Sequence, residues 1–468
     1  MKLNLINNRY YIVSCLAALL LPLLYLDFLG HDNTATLYAD MVGSPWHWIG
    51  QLSNYRYLNA ALAWILFQNS INYYSLIYIW SVLFSISIVW ACVEFCRFSD
   101  FDDKYIPIFT LLVITNGYFS DLYIFSMVFS AYAIAFASVA IALYSARKHE
   151  PIVGIIVSTL ALTFCLMSYQ VEALIALFAA SSAAITASFA GKDTLPWKRI
   201  LIIVPSFFLS IILFLIVKHF IGPTDGRGVN FSNVSGNLID YLNKIPEILT
   251  SGIEYYTSAN EILFYLIILS SSALLLIYKA CTSPSYVSIV SFVSYVLAVL
   301  IIACPLSLMG DTVWIGARMM TASVFFFASL PLIFQKILGG KYSEAYLFII
   351  IGFIAISIFN QVQFHTFMRG QDERDKLAVE MISRDIAKVV EVGRDTKLSV
   401  VQINFPNRMM SDWRLSAFGA EWSRSKIFHV LTGRFIEVSR PDGSCNNVDP
   451  QNDWAIELHD DVVVVCLQ

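Results

Sequence analysis

Two acidic residues lie in a polar stretch, residues 31–55, that follows the first apolar segment of the chain. They are Asp32 and Asp40, and the aromatic residues near them are Tyr38, Trp46, Trp48 and Tyr55. A carboxylate at a membrane surface can have a raised pKa and act as a general base toward a hydroxyl group. We predict Asp40 as the base with Asp32 in support, and Tyr38, Trp46 and Trp48 as contacts to a sugar. The alternatives are solvated loop carboxylates and an ordinary interfacial aromatic belt.

Four cationic side chains near the ends of apolar segments could bind a phosphate group: Arg56, Lys218, His219 and Arg318. The planar guanidinium of arginine matches phosphate geometry, so Arg56 and Arg318 are the stronger candidates. Arg56 could instead reach lipid headgroups as an interfacial side chain. Lys218 and His219 end an apolar segment, where a helix C-terminus favours cations without any ligand.

Polar side chains also occupy the tips of two predicted hairpins. Asp121 lies at one tip, and Tyr169, Gln170 and Glu172 lie at the other. Ionisable residues near membrane depth usually face a protein cavity and mark function, so we predict that these four residues contact the substrate. The alternative for Asp121 and Glu172 is a position in the headgroup layer.

The elements that must position these residues are strongly apolar. The 468-residue chain is 57% hydrophobic and 14% charged, whereas soluble proteins average about 25% charged. A bilayer is crossed by about 20 apolar residues in a helix, because hydrocarbon cannot satisfy backbone amides. Eleven segments are predicted, near residues 11–29, 73–95, 106–119, 123–145, 152–168, 171–190, 200–217, 261–279, 286–304, 318–335 and 344–361. The first lacks a small-residue cleavage site and is expected to be retained.

The distribution of lysine and arginine among the short loops predicts the orientation. One set of alternate loops carries Lys2, Arg9, Arg97, Lys104, Arg147, Lys148, Lys192, Lys198, Arg199, Lys279, Lys336 and Lys341, and the other set carries almost none. The positive-inside rule then predicts a cytoplasmic N-terminus, and eleven crossings place the C-terminal tail outside. Residues 30–72 and 218–260 are the long external loops. The run Tyr57–Phe67 is too short to span and is predicted to lie along the interface.

The tail, residues 362–468, has a different composition and reads as a small soluble α/β domain after a transmembrane domain of residues 1–361. Cys445 and Cys466 are its two cysteines and are predicted to form a disulfide in an oxidising compartment. No cysteine or histidine spacing is typical of a metal site, and no nucleotide-binding fingerprint or basic run is present. We expect no metal, no cofactor and no nucleic-acid partner.

This arrangement resembles the bacterial serotype-converting O-antigen glucosyltransferases, integral membrane enzymes of the GT-C class. The matching text is YADMVG, which contains Asp40, and NYRYLN, which contains Arg56. Further matches are Tyr169–Gln170, Arg318, and a tail segment with Ser416, Ala417, Phe418 and Trp422. Two positions depart from the family pattern: Met41 follows Asp40 where the family has a second acid, and Tyr55 replaces the glycine before Arg56.

The resemblance implies an inverting transfer of a sugar, glucose in that family, from undecaprenyl-phosphate-sugar to the O-antigen repeat of lipopolysaccharide. The reaction would take place at the periplasmic face of the bacterial inner membrane, with the tail as a periplasmic domain. The lipid-linked donor is a substrate, and a flippase and a carrier-charging glycosyltransferase would be partners. Two alternatives stay open at this stage: an O-antigen polymerase, for which Arg227 in the second long loop leaves room, and a lipid-linked sugar transporter or flippase.

Overall fold

The protein is described from a computed structural model. The residues described are 5–26, 31–42, 44, 49, 51–52, 54, 56–71, 73–190, 195–221, 234–251, 259–282, 285–302, 305, 308, 317–338, 340–393, 396–403, 416–441, 444–445 and 453–467.

Helices dominate the described part of the chain. They are α1 (Leu5–Leu23), α2 (His31–Met41), α3 (Tyr57–Gln68), α4 (Ile77–Phe98), α5 (Ile106–Ile114), α6 (Gly117–Ile124), α7 (Phe129–Lys148), α8 (Pro151–Ser168), α9 (Ile175–Phe189), α10 (Trp197–Ile221), α11 (Val234–Ser251), α12 (Ala259–Thr282), α13 (Tyr286–Ile301), α14 (Thr321–Leu338), α15 (Gly340–Val389), α16 (Glu421–Arg424) and α17 (Lys426–Thr432). The strands are β1 (Thr396–Gln402), β2 (Phe435–Glu437), β3 (Trp454–His459) and β4 (Val462–Leu467).

Seven helices among the described residues are long and apolar enough to cross a membrane, by length and composition: Ile77–Phe98, Phe129–Lys148, Pro151–Ser168, Gln170–Phe189, Trp197–Ile221, Ala259–Thr282 and Tyr346–Val389. Shorter apolar helices are Ser14–Leu23, Tyr57–Gln68, Tyr286–Ile301 and Thr321–Lys336. A helix of 20 residues is about 30 Å long, which matches the hydrocarbon thickness of a bilayer. The fold is that of a polytopic helical membrane protein.

Three elements differ from the expectations drawn from local sequence. The segment 106–119 is two helices, because Asn116 caps α6 by accepting a hydrogen bond from the Tyr118 amide at 2.9 Å. Part of the polar stretch 31–55 is the helix α2. The helix that contains the last apolar segment does not end near residue 361, since α15 continues to Val389 and is 50 residues long in all, about 75 Å at 1.5 Å per residue.

Small residues allow the helices of the bundle to approach closely. α7 is rich in alanine and serine and packs against α4, where the rings of Phe84 and Phe129 are stacked 5.2 Å apart. Ser182 of α9 and Ser329 of α14 share a hydrogen bond of 2.9 Å. Close packing and interhelical hydrogen bonds of this kind are what drive helices together in lipid.

The C-terminal residues form a four-stranded sheet with the strand order β2-β1-β4-β3. β1 is parallel to β2 and to β4, and β3 is antiparallel to β4. The end of α15 covers the sheet with Val379, Ile382 and Ile386, which belong to a hydrophobic cluster separate from the core of the helical bundle. A disulfide joins Cys445 to Cys466, with a Cα–Cα distance of 5.6 Å. We call residues 396–467 the C-terminal unit.

The helical bundle has two distinct ends. Tyr73, just before α4, is hydrogen-bonded to Ser130 at the start of α7. At the other ends of the same helices, Arg147 Nη2 lies 2.8 Å from the carboxylate of Glu94. Because α4 and α7 have 22 and 20 residues, we place the two ends about 30 Å apart. We call them the Tyr73 end and the Arg147 end.

Asp375 of α15 attaches the C-terminal unit to the long helix. Its carboxylate accepts hydrogen bonds from the Ala417 amide at 2.6 Å and from the Ser416 hydroxyl at 2.9 Å. The side chain of Gln371 donates a third at 2.7 Å, and Asp375 is buried. A buried carboxylate with several donors is a strong anchor, because each donor would otherwise lose its partner.

We expect Asp375→Ala to destabilise the C-terminal unit by about 1–3 kcal/mol, since it leaves buried donors unsatisfied. Glu373→Ala is the control, because Glu373 is exposed on the same helix and its ion pair in the described part of the chain is with the half-exposed Lys376, at 3.3 Å. The measurement is the unfolding temperature of the full chain purified in detergent. Equal unfolding temperatures for the two variants would contradict the anchoring role.

Candidate functional site

The predicted base and the two predicted arginines converge at the Tyr73 end of the bundle. The guanidinium carbon of Arg56 lies 4.7 Å from the centre of the Tyr169 ring. That ring is 4.5 Å from the ring of Tyr132 on α7, and the Tyr132 hydroxyl is within electrostatic reach of both Arg56 and Arg318. We call Asp40, Arg56, Arg318, Tyr132 and Tyr169 the Arg56 cluster.

Arg56, at the start of α3, has no charged partner among the described residues. It is half-buried, and its side-chain hydrogen bond to a described residue is a long one, 3.4 Å from Nη1 to the side-chain oxygen of Gln51. Its Nε is buried and has no partner among the described residues. Leaving a buried charged donor unsatisfied is costly unless something else binds it. The guanidinium is therefore placed to receive an anion.

Asp40 approaches the same place from α2. Burial raises the pKa of Tyr73, the negative charge of Asp40 raises it further, and the positive charge of Arg56 lowers it. Both charges therefore act on the Tyr73 hydroxyl. This hydroxyl is bonded to Ser130, which in turn donates to the side chain of Asn59 on α3. The chain of hydrogen bonds fixes the starts of α3, α4 and α7 around the two charges.

Arg318 is positioned through its backbone by an acid predicted to contact substrate. The Arg318 amide donates to Asp121 Oδ2 at 2.9 Å, and Asp121 is buried. The Arg318 guanidinium carbon lies 4.4 Å from the centre of the Phe125 ring, in a cation–π contact. Asp121 therefore holds the turn that carries Arg318.

Glu172 supports the same turn from the other side. Its Oε1 lies 2.6 Å from the Thr321 hydroxyl, which is 2.9 Å from the Arg318 carbonyl oxygen. A hydroxyl has one proton, and a protonated Glu172 that donates to Thr321 leaves that proton for the Arg318 carbonyl. Glu172 is fully buried, and its Oε2 has no partner among the described residues. We infer that Glu172 is a neutral acid that orders Arg318.

Two more predicted residues hold the Arg56 cluster together. Gln170 donates from Nε2 to the Asn54 carbonyl at 3.3 Å, which ties the turn Gln170–Leu174 to the segment before Arg56. Tyr169, the residue before this turn, places its ring between Arg56 and Tyr132. Both side chains therefore position other residues of the site by contacts within the protein.

Two predicted cations, Lys218 and His219, lie in the last turn of α10. Among the described residues His219 makes no hydrogen bond or ion pair with the Arg56 cluster, and its ring packs 5.4 Å from Phe220. Trp46, Trp48 and the side chain of Asp32 are outside the described residues.

Tyr38 lies on α2 but contacts the C-terminal unit. Its ring is 5.1 Å from the ring of His429, edge to face, and Lys426 Nζ lies 5.8 Å from the ring centre. Burial raises the pKa of Tyr38, and the backbone of Glu437 opposes this by a hydrogen bond. The helix that carries Asp40 is thus packed on one side against the C-terminal unit.

Sequence reasoning did not find Asn59, Tyr73, Ser130, Tyr132 and Thr321, which complete the site. Each lies in or beside an apolar segment, where a single hydroxyl or amide is common. The available signal was weak: polar residues within apolar helices often face other helices rather than lipid. Nothing local relates Asn59 to Ser130, which are 71 residues apart.

We expect Glu172→Gln to keep the unfolding temperature close to that of the unmodified protein, because a neutral amide can donate to Thr321 as the neutral acid does. Glu172→Ala should lower stability by about 1–3 kcal/mol through the lost hydrogen bond with Thr321 and the lost packing. Thermal unfolding in detergent measures both. Equal losses in the two variants would contradict a neutral Glu172 bonded to Thr321.

Comparison with known proteins adds no family assignment. No protein-family model matches this chain, and neither the curated proteins nor the solved structures give a significant match.

Proposed function

We propose that this protein is a membrane glycosyltransferase that moves a sugar from a polyprenyl-phosphate-sugar to a hydroxyl group of a polysaccharide. The resemblance of its motifs favours undecaprenyl-phosphate-glucose as the donor and the O-antigen repeat as the acceptor. One observation carries the proposal: a half-buried guanidinium, Arg56, has no carboxylate partner among the described residues and shares its surroundings with Arg318 and Asp40.

The location of the Arg56 cluster favours a lipid-borne anion. It lies at the ends of helices whose length matches the bilayer, where the phosphate of a polyprenyl carrier emerges from hydrocarbon. Each guanidinium 4 Å from a phosphate charge contributes about 4 kcal/mol at an effective dielectric constant of 20. Arginine also binds phosphate oxygens in pairs, which fixes the orientation of the donor.

The reaction is a single displacement. Asp40 accepts the proton of the acceptor hydroxyl as its oxygen attacks the anomeric carbon, and the bond from that carbon to the phosphate oxygen breaks. The electron pair leaves with the lipid phosphate, whose growing negative charge Arg56 and Arg318 stabilise. Attack from the face opposite the phosphate inverts the anomeric centre. Because phosphate is a good leaving group, positioning and charge stabilisation supply most of the rate.

We infer eleven membrane crossings from the directions of the helices. Seven crossings are the long apolar helices. The other four are α1, α13, α14, and α5 together with α6 as one broken crossing. Ser14 of α1 contacts Pro107 at the start of α5, and Tyr25 contacts Gln361 of α15. These contacts indicate that α1 runs from the Arg147 end to the Tyr73 end.

The distribution of charge favours a periplasmic position for the Tyr73 end. Arginine and lysine concentrate at the Arg147 end, which the positive-inside rule assigns to the cytoplasm of the inner membrane. The C-terminal unit contacts α2 at the opposite end, and its disulfide suits an oxidising compartment. An O-antigen polymerase usually has both chain ends in the cytoplasm, so this arrangement favours the transferase.

The C-terminal unit is the proposed holder of the acceptor. It packs through His429 and Lys426 against Tyr38, two residues before Asp40 on the same helix. A polysaccharide lying on this unit would present its hydroxyl groups beside α2. The contact would also set the position of Asp40 relative to the donor.

We expect Asp40→Asn to lower sugar transfer about 10²–10⁴-fold, because the variant lacks a general base. Transfer from a labelled polyprenyl-phosphate-sugar to lipopolysaccharide, by the purified full chain, is the measurement. Asp240→Asn is the control, since Asp240 is exposed on α11. Full activity of Asp40→Asn would eliminate this residue as the base. Transport of the donor without cleavage would indicate a flippase instead.

We expect Arg56→Gln to lower kcat/KM at least about 10²-fold, as loss of a preorganised donor to a developing charge does. Arg56→Lys should recover part of the activity, because it keeps the charge but loses the fork of donors. Arg384→Gln is the matched control, since the Arg384 side chain is 71% exposed on α15. Unchanged kinetics in Arg56→Gln would remove Arg56 from the phosphate site.

A further inference from the structure

A second charged region lies at the Arg147 end of the bundle, about 30 Å from the Arg56 cluster along α4 and α7. It is an open cavity of about 910 Å³, within the usual range of ligand sites, about 300–1,000 Å³. Its walls come from α4, α7, α10, α14 and the segments that lead into α5 and α10. Its lining residues are Arg97, Asp100, Phe101, Asp103, Arg147, Leu195, Pro196, Trp197, Lys198, Arg199 and Lys336.

The lining is strongly cationic. Five of its side chains are arginine or lysine and two are aspartate, so the lining carries a formal charge of +3. Lys336 is exposed, and in the described part of the chain its hydrogen bond is to a carbonyl oxygen, that of Asp100, at 3.2 Å. Lys198 reaches Glu150 only at 3.5 Å, and both side chains are largely exposed. Such pairs are weak and leave the lysines available to another anion.

Two arginines give the cavity a fixed wall. Arg199 Nη2 contacts the Asp100 carboxylate at 2.7 Å, and its Nη1 donates to the carbonyl oxygens of Arg97 and Phe98 at 3.2 and 2.5 Å. Arg147 contacts Glu94 at 2.8 Å, yet its Nε is buried without a partner among the described residues. Arg147 is therefore a cation held in a fixed position at the wall of the cavity.

The depth of the cavity indicates which anions can reach it. It lies where helices of bilayer length end, and Trp197 on its lining is 40% exposed. Exposed tryptophan is typical of the headgroup layer of a membrane. Basic pockets between transmembrane helices at this level bind the phosphate of anionic headgroups.

We propose that this cavity binds a phosphate-bearing anion at the end of the bundle opposite the Arg56 cluster. The ligand is either the headgroup of an anionic phospholipid, entering from the bilayer, or a phosphate compound from the aqueous side. Both place a phosphate between Lys336, Lys198 and the fixed guanidinium of Arg147. This site is independent of the proposed transferase activity and takes no part in the sugar transfer.

The test measures binding by calorimetry to the full chain purified in a neutral detergent. The probes are short-chain phosphatidylglycerol, short-chain phosphatidylcholine and inorganic pyrophosphate. Binding of phosphatidylglycerol alone supports a headgroup site. Binding of pyrophosphate with similar or higher affinity supports a soluble phosphate ligand. Binding of neither, or equal binding of phosphatidylcholine, would overturn the proposal.

The variants test the residues. Arg97→Gln, Lys198→Gln and Lys336→Gln combined should weaken binding at least about tenfold, since each cation near a phosphate contributes roughly fivefold. The control combines Lys104→Gln, Lys148→Gln and Lys388→Gln, which removes equal charge from exposed lysines outside the cavity. Should the first triple variant fail to purify, Lys336→Gln alone is expected to weaken binding roughly fivefold. Unchanged affinity in both cavity variants would contradict the assignment.

Discussion

The free-energy cost of placing arginine side chains where little water reaches them constrains the rest of this structure. Arg56 and Arg318 lie at the ends of membrane helices, where a guanidinium is costly to desolvate and its position must be enforced. The enforcement is visible: Asp121 and the Glu172–Thr321 pair hold the backbone of Arg318 from both sides. Asp121 is used for the backbone of Arg318, and the guanidinium of Arg56 has no carboxylate partner among the described residues. Arg56 therefore offers positive charge to an incoming anion.

The helix α2 links this charge to the C-terminal unit. One of its residues, Asp40, acts electrostatically on Tyr73, as Arg56 does, and another, Tyr38, packs against His429. The unit is itself attached to the long helix α15 through Asp375. An acceptor bound to the unit would therefore lie on the structure that sets the position of the proposed base. The two substrates would meet at α2, the lipid from the bundle and the polysaccharide from the C-terminal unit.

The apolar character of the bundle could be predicted from composition, because a run of about 20 apolar residues is recognised without any information about distant residues. Asp40 and Arg56 could be placed together because they share one short stretch. α2 was hidden, since its polar sequence resembles a loop and its helix is stabilised by contacts with the distant C-terminal unit. The pairing of Asp121 with Arg318 spans 197 residues and has no local signature. Asn116 interrupted a predicted span through a cap that competes with helix continuation.

The central claim is that Arg56 and Arg318 hold one phosphate together. A double-mutant cycle on the affinity for polyprenyl phosphate, with Arg56→Gln, Arg318→Gln and the double variant, tests it most directly. Two cations on one anion predict that each single variant weakens binding at least about tenfold and that the double variant loses less than the product of the two. Affinity unchanged by either substitution, or fully independent effects, would contradict a shared phosphate.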